Sequence, residues 1–113
     1  MSFVNDRTEI AAALETVDGV KGYDYRPRAP KTGDAWPTLP TLDLQAGLVW
    51  RPTWTVHVVL PSDERAAAKW MDAHFLAIVT ALRVPAFPES ATPAVMETSA
   101  GDLLILEITM RSE

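Results

Sequence analysis

Cysteine is absent from the 113-residue chain, and so are long apolar runs. Without cysteine there are no disulfide bridges, no thiolate metal sites and no thiol nucleophile, which favours a reducing compartment. The longest uncharged apolar-rich run, residues 44–50, is far too short to span a bilayer. No basic segment leads into an apolar stretch near the start, so we expect no signal peptide. The composition predicts a soluble protein that is made and kept in the cytoplasm.

The usual sequence signatures of catalysis are also missing. The glycines form no phosphate-binding loop, and neither a His-Glu-x-x-His pair nor a serine elbow is present. His57, His74 and Asp43 are potential metal ligands, but their spacing matches no known site. We therefore expect His57 to be exposed and His74 to be partly buried on an apolar helix face. The sequence predicts no catalytic residue, no cofactor and no metal, and a protein that is not an enzyme.

The sequence does contain two helical patterns, in a chain whose 48% hydrophobic residues are enough for one core. The first predicted helix runs from Asp6 to Val17, with capping-box spacing between its first residue and Glu9. The second covers residues 62–82, with the serine at its start as N-cap. Its broad apolar stripe includes Trp70, which we expect to anchor the helix on a sheet.

Alternating apolar residues predict five strands. They cover Val20–Arg26, Thr38–Leu48, Trp50–Leu60, Ala94–Thr98 and Leu103–Arg111. Prolines predict an irregular loop over 27–37, mobile in an isolated subunit, and a coil over 85–93. The predicted fold class is α+β, in the order α-β-β-β-α-β-β within a single domain of residues 1–113. Its sheet is mixed or antiparallel, with the long second helix packed on it.

The net charge of −5 is unevenly distributed along the chain. Residues 84–113 contain five acids and one base, whereas Lys21, Arg26, Arg28 and Lys31 form a small basic cluster. These are either two solvated faces or a self-complementary surface, in which the basic loop of one copy meets the acidic hairpin of the next. The excess of acidic over basic residues argues against non-specific binding to nucleic acid.

Four tryptophans are the strongest remaining feature of the composition. Trp54 and Trp70 lie on the apolar faces of their elements, which indicates core packing. Trp36 lies in the proline-rich loop, and Trp50 follows a turn at Gly47. Each of these two either packs back onto the core or anchors an interface, where tryptophan is enriched.

The layout of the chain resembles that of a known protein family. A short helix is followed by the Gly22-Tyr-Asp-Tyr-Arg-Pro27 strand exit, a proline-rich loop and a long hairpin. The Trp54-Thr-Val-His-Val-Val-Leu60 strand then leads into the long helix, and Gly101–Thr109 forms the final strand. This order resembles the tail terminator proteins of long-tailed bacteriophages over nearly the whole chain. The content of Ala, Arg, Trp and Pro resembles that of phages of high-GC actinobacterial hosts.

The resemblance implies a virion structural protein, assembled in the host cytoplasm and located at the neck of the tail. Six copies would form a ring at the head-proximal end of the tail tube, stop tube polymerisation and join the tail to the head. The implied partners are other copies of the chain, the major tail tube protein and the head–tail connector. DNA would only pass through the lumen, and no membrane is involved.

Physical reasoning places the assembly interface, because the resemblance supplies no interface residues. The predicted residues are charged or aromatic and fall in the basic loop, the hairpin connection and the acidic C-terminal segment: Arg26, Arg28, Lys31, Trp36, Trp50, Glu97, Asp102 and Glu107. Two alternatives remain open at this point. One is another phage neck or tail-tube protein, and the other is a small ligand-binding α+β module with its pocket between Trp70 and the sheet.

Overall fold

A computed structural model describes residues 2–45, 47 and 49–111, and these form two helices and six strands. In chain order the elements are α1 (Phe3–Glu15), β1 (Lys21–Gly22), β2 (Asp34–Pro37), β3 (Thr41–Gln45), β4 (Val49–Val59), α2 (Glu64–Leu82), β5 (Phe87–Thr98) and β6 (Gly101–Arg111). The predicted α+β class is confirmed, with one strand more than the sequence pattern indicated.

All six strands belong to one mixed sheet, whose order is β1-β2-β4-β6-β5. Among the described strands, β1 and β2 pair in parallel and the other pairs are antiparallel. One edge of β4 is bonded to β6, and the opposite edge is bonded to β3 near its start and to β2 near its end. The sheet is therefore organised around β4, the strand with the clearest alternation in the sequence.

The main core lies between the helices and one face of the sheet. Trp54, Val56 and Val58 point from β4 into this core, as their alternation predicts. Helix α1 contributes Ile10 and Leu14. It lies so close to β1 that a Cβ on Gly22 would be 2.2 Å from the Ala11 carbonyl oxygen, so glycine is required there. Helix α2 contributes Ala67, Ile78 and Leu82, while Trp70, Met71 and Phe75 pack against the core but are only partly buried.

A smaller cluster covers part of the opposite face of the sheet, and it corrects the prediction of a mobile loop. Trp36, Val59 and Ile105 are buried together there, and Trp36 is only 2% exposed. The end of the proline-rich segment forms β2, because Pro37 occupies the last strand position, where its ring does not interrupt a longer ladder. Trp36 therefore belongs to the fold of the subunit.

At the other edge of the sheet, prolines led to the wrong prediction of a coil. Strand β5 begins at Phe87 and includes Pro88 and Pro93, which were assigned to a coil. An edge strand has one side without ladder partners, so it tolerates residues that lack an amide hydrogen. The register shift between Pro88 and Ser90 is a bulge of the kind that edge strands accommodate.

Several element boundaries differ from the sequence expectation. Helix α1 is capped by Ser2, whose hydroxyl accepts from the Asn5 amide at 3.2 Å, so the capping box at Asp6 is wrong. Helix α2 is capped by Asp63, one residue after the predicted Ser62. Both neighbours can cap a helix, so the pattern alone does not choose between them.

The first two predicted strands are shorter than expected. Strand β1 ends at Gly22, and β3 covers only Thr41–Gln45. The predicted strand end at Leu48 lies outside the described residues. Beyond β1, the Tyr23 amide still donates to the Ala35 carbonyl oxygen of β2. The Arg7 guanidinium then joins the two segments, because its Nη1 donates to the carbonyl oxygens of Asp24 and Pro37.

Burial separates the two tryptophans that were assigned to the core. Trp54 is fully buried, whereas Trp70 packs against the core from one side and stacks on His74 at 4.3 Å. Trp54→Ala should lower the free energy of unfolding by about 3–5 kcal/mol, and Trp70→Ala by clearly less. Urea denaturation of both variants tests this. A larger loss for Trp70→Ala would show that α2, and not β4, supplies the main core contact.

Candidate assembly interface

The charged residues predicted for an interface lie on opposite edges of the sheet. Arg26, Arg28 and Lys31 are exposed on the loop between β1 and β2, which we call the basic edge together with Lys21. The opposite, acidic edge is formed by the β5–β6 hairpin. Its acids are Glu89 and Glu97 on the edge strand β5 and Asp102 at the start of β6, whereas Glu107 lies farther along β6, an inner strand, beside His57. Among the described residues no ion pair joins the basic edge to this hairpin, so we expect close pairing between the two to form between copies.

The acidic edge is partly neutralised at one end only. Glu89 pairs with Arg111 at 3.3 Å, and both side chains are about half exposed. Glu97 and Asp102 face each other across the hairpin close to its turn. Like charges in directly opposed positions destabilise a strand pair, so this part of the edge would gain from a cation.

The two tryptophans of the predicted interface lie in different environments. Trp36 is buried beneath His57 and Val59, so it presents no anchor to a partner in this structure. Trp50, in contrast, is 53% exposed near the start of β4. Of the two roles that the sequence left open, core packing and interface anchoring, Trp36 therefore has the core-packing role. Trp50 is not buried by its own subunit.

Trp50 belongs to a hairpin that projects from the sheet. Strands β3 and β4 pair from Thr41 opposite Thr53 to Gln45 opposite Val49, beyond the point where β6 ends at Arg111. Directly opposed residues of an antiparallel pair share a face. Leu42, Leu44 and Trp50 therefore lie on the face that continues from Trp54, and we call these three residues the apolar stripe.

The apolar stripe is not covered by the subunit. Leu42 is 41% exposed and Leu44 is 52% exposed, and every residue of β3 is exposed to solvent. The other face of the hairpin carries Asp43 opposite Arg51. An apolar face backed by a polar one, on a two-stranded projection, is typical of an element that packs against something outside its own subunit.

A groove on the opposite side of the molecule has matching chemistry. Helix α2 lies over the centre of the sheet and leaves the adjoining part of β5 uncovered, so Val95 is exposed. The groove between the start of α2 and the β5–β6 hairpin has a volume of about 560 Å³. Its apolar walls include Leu60, Ala67, Met71, Pro93, Val95 and Leu104. We call it the α2–β5 groove.

His57 was predicted to be exposed, and this is wrong. It projects from β4 on the face of the small cluster, its ring lies 5.8 Å from that of Trp36, and its side chain is 19% exposed. Its Nδ1 is buried without a hydrogen-bond partner among the described residues, and its Nε2 lies 3.9 Å from Glu107 Oε1. Burial lowers the pKa of His57; Glu107 opposes this shift and Arg26 adds to it.

The arrangement around His57 offers no metal site. Within residues 2–45, 47 and 49–111, no three His, Asp or Glu side chains come close enough to hold a metal ion. His74 lies on α2, on the other side of the sheet, with its Nδ1 2.8 Å from the Trp70 carbonyl oxygen.

Two features of this surface could not be recognised in the sequence. Leu42 and Leu44 alternate like core residues, and the apolar stripe is distinguished only by their position opposite Trp50 beyond the end of β6. Arg7 lies inside the first predicted helix and was not singled out from the sequence, although it is buried against Tyr25. A charged residue on the apolar side of a short helix was the only available signal.

The lowered pKa of His57 makes the stability of the fold depend on pH. An unfolded histidine has its ordinary pKa of about 6.5, whereas the lowered pKa of folded His57 delays its protonation to a lower pH. The free energy of unfolding should therefore fall as the pH drops below about 6.5. The variant His57→Gln should lose this part of the pH dependence in urea titrations between pH 7 and 5. Identical slopes for both proteins would contradict the assignment.

No helix formed by the described part of the chain is both long and apolar enough to cross a membrane. No protein-family model matches the chain, and no curated protein matches its sequence.

Proposed function

We propose that this protein is a virion structural subunit that assembles head to tail with copies of itself into a ring, as a tail terminator of a long-tailed phage does. The observation that carries the proposal is the uncovered apolar stripe on the projecting β3–β4 hairpin. An isolated subunit gains nothing by holding Leu44 and Trp50 in water at the end of a two-stranded projection.

The positions of the complementary surfaces support a head-to-tail contact. The hairpin lies on the same side of β4 as β2, whereas the α2–β5 groove lies beside the opposite edge. One copy can therefore insert its apolar stripe into the groove of a second copy, whose own stripe stays free for a third. Such a heterologous contact generates a ring when the rotation between neighbours closes. The ring size of six comes from the resemblance to tail terminators.

We expect apolar and charged residues to contribute differently to the free energy of assembly. Covering the exposed half of Trp50 removes about 100 Å² from water, which is worth about 2–3 kcal/mol. The two leucines of the stripe add to this. Exposed ion pairs contribute only about 0–1 kcal/mol each, so the basic and acidic edges would set the register and the salt dependence of assembly.

Within the virion, one face of the ring would end the growing tail tube and the other would meet the head connector. The partners are then the major tail tube protein and the connector, with DNA passing through the lumen. This function requires contact surfaces for the partner proteins and does not require an active site. An assembly state of one or two copies would instead favour a ligand-binding module, and open-ended assembly would favour a tail-tube protein.

The hairpin supplies a matched set of variants for testing self-assembly. Trp50→Ser and Leu44→Ser remove apolar surface from the stripe, whereas Val49→Ser removes it from the opposite face, where Val49 is 62% exposed. In sedimentation velocity at equal concentration, the first two variants should shift from ring to monomer, and the control should sediment like the wild type. Loss of assembly in all three, or in none, would exclude the stripe as the contact.

A second experiment tests the role in the tail. Purified wild-type protein, added to polymerising tail tube protein from the same phage, should cap the tubes and shorten them in electron micrographs. Phage lacking the gene should produce tails of excess length or heads without tails. Tubes of unchanged length in both experiments would contradict the terminator function while leaving self-assembly to be judged by sedimentation.

A further inference from the structure

A cationic pocket opens at the basic edge, where β1 stops at Gly22 and β2 ends at Pro37. It has a volume of about 470 Å³. Its walls include Arg7, Tyr25, Arg26, Trp36, Thr38 and His57. Two guanidinium groups therefore line one cavity at the same edge of the sheet from which the β3–β4 hairpin projects.

Arg7 is held in this pocket without a counter-charge. It is only 7% exposed, and its Nη1 donates to the carbonyl oxygens of Asp24 at 2.8 Å and Pro37 at 3.1 Å. Its guanidinium carbon lies 4.4 Å from the centroid of the Tyr25 ring. Among the described residues no carboxylate lies within ion-pair distance of it, and the Asp24 carboxylate accepts a hydrogen bond from the Thr8 hydroxyl instead. A buried cation in this state is stabilised when an anion arrives beside it.

Arg26 adds a second positive charge at the rim of the pocket. It is exposed and forms no ion pair within the described part of the chain. Its charge nevertheless acts on the pocket wall, because it lowers the pKa of His57. Glu107 lies 3.9 Å from His57 and forms no ion pair with either arginine among the described residues. Two arginines that line one cavity provide the donors that bind a carboxylate.

The acidic edge presents the complementary arrangement. Glu97 and Asp102 are both exposed and stand directly opposite each other, with a short turn through Ala100 beyond them. Neither forms an ion pair with any described residue. The repulsion between them and the unbalanced charge of Arg7 are relieved together only if the two edges meet. Met96 of β5 lines the pocket, but the opposed pair Glu97 and Asp102 lies on the other face of the sheet, where Asp102 lines the α2–β5 groove. The two acids therefore point away from the pocket of their own subunit, so the meeting requires two subunits.

We infer that the pocket lined by Arg7 and Arg26 is a carboxylate-binding socket for Glu97 and Asp102 of a second copy of this chain. The inference rests on the proposed head-to-tail assembly and assigns its polar contact. The socket and the apolar stripe lie at the same edge of β4, although Trp36 and His57 of the socket face the opposite side of the sheet from the stripe. One neighbouring copy that approaches this edge can engage both. The socket then fixes the orientation in which the stripe enters the α2–β5 groove.

Charge exchange in solution tests this contact. Arg26→Glu reverses the charge at the rim, and Glu97→Arg combined with Asp102→Arg reverses the charge of the incoming acids. All three positions are exposed, so each variant should keep the melting temperature of the wild type. Each should weaken assembly at least about tenfold in sedimentation equilibrium. Arg28→Glu is the control, because it changes the same charge on the same edge outside the pocket and should weaken assembly far less.

Mixing the two defective proteins is the sharper part of the experiment. One protein retains the native acids and the other the native socket, and the two reversed surfaces are also complementary to each other, so the mixture should form a ring of alternating copies although each protein alone does not. A chain that carries all three substitutions should assemble with itself again. Equal weakening by Arg28→Glu and Arg26→Glu, or a mixture that assembles no better than either protein alone, would overturn the inference.

Two further outcomes separate this inference from the proposed function. Wild-type protein that stays monomeric at every concentration would overturn the proposed assembly itself. If the wild-type protein forms rings and the Arg26→Glu variant forms them equally well, only the socket inference would be overturned.

Titration of N-acetylglutamate into the protein tests for a different occupant of the pocket. Saturable binding that Arg26→Glu abolishes, without any effect of the exchange on assembly, would show a free carboxylate ligand instead of a second copy.

Discussion

The hydrogen bonding of β4 along both of its edges is the constraint on which the rest of the molecule depends. Of its eleven residues, Thr53 to Val59 pair with β6 on one edge, and the other edge pairs with β3 and then with β2. Its alternating side chains divide between the main core, which includes Trp54, and the cluster around Trp36. Because β4 is longer than its overlap with β6, its first residues extend past the sheet and carry β3 with them. The projecting hairpin is thus a consequence of strand length.

The parts of the fold that were predictable are those in which one physical effect dominates. The alternation of β4 and the broad apolar stripe of α2 depend on burial alone, and both elements lie close to their predicted positions. The missed elements are those in which tertiary context overrides local preference. Strand β2 includes Pro37, and its neighbour Trp36 is covered by residues distant in the sequence. Pro88 and Pro93 are acceptable in β5 only because that strand is at an edge, which the sequence does not reveal.

The candidate interface was predictable in its charges but not in its geometry. The basic loop and the acidic hairpin were recognised from composition, and the structure places them on opposite edges of the sheet. The apolar stripe depends on the register of Leu44 against Trp50, which no local pattern specifies. Arg7 was missed because its role follows from the early end of β1, where its side chain donates to the carbonyl oxygens of Asp24 and Pro37.

These features support a single account of assembly. Each apolar or charged surface that one subunit leaves uncovered would contact a complementary surface on the opposite side of the neighbouring subunit. The apolar stripe matches the α2–β5 groove, and the cationic pocket matches the acidic turn of the β5–β6 hairpin. A repeated head-to-tail contact of this kind suits a ring that ends a helical tube, because it exposes two different faces to two different partners.

A photo-crosslinking amino acid at position 50 tests the account most directly. The molecule measures 46 × 29 × 21 Å, and position 50 and the α2–β5 groove lie towards opposite ends of it, so they cannot cross-link within one chain. Mass spectrometry of the cross-linked peptides should identify residues of the groove, Met71 or Val95 among them, on a different copy of the chain. Cross-links from position 50 to the same hairpin of another copy, or no cross-links between copies, would contradict a head-to-tail assembly.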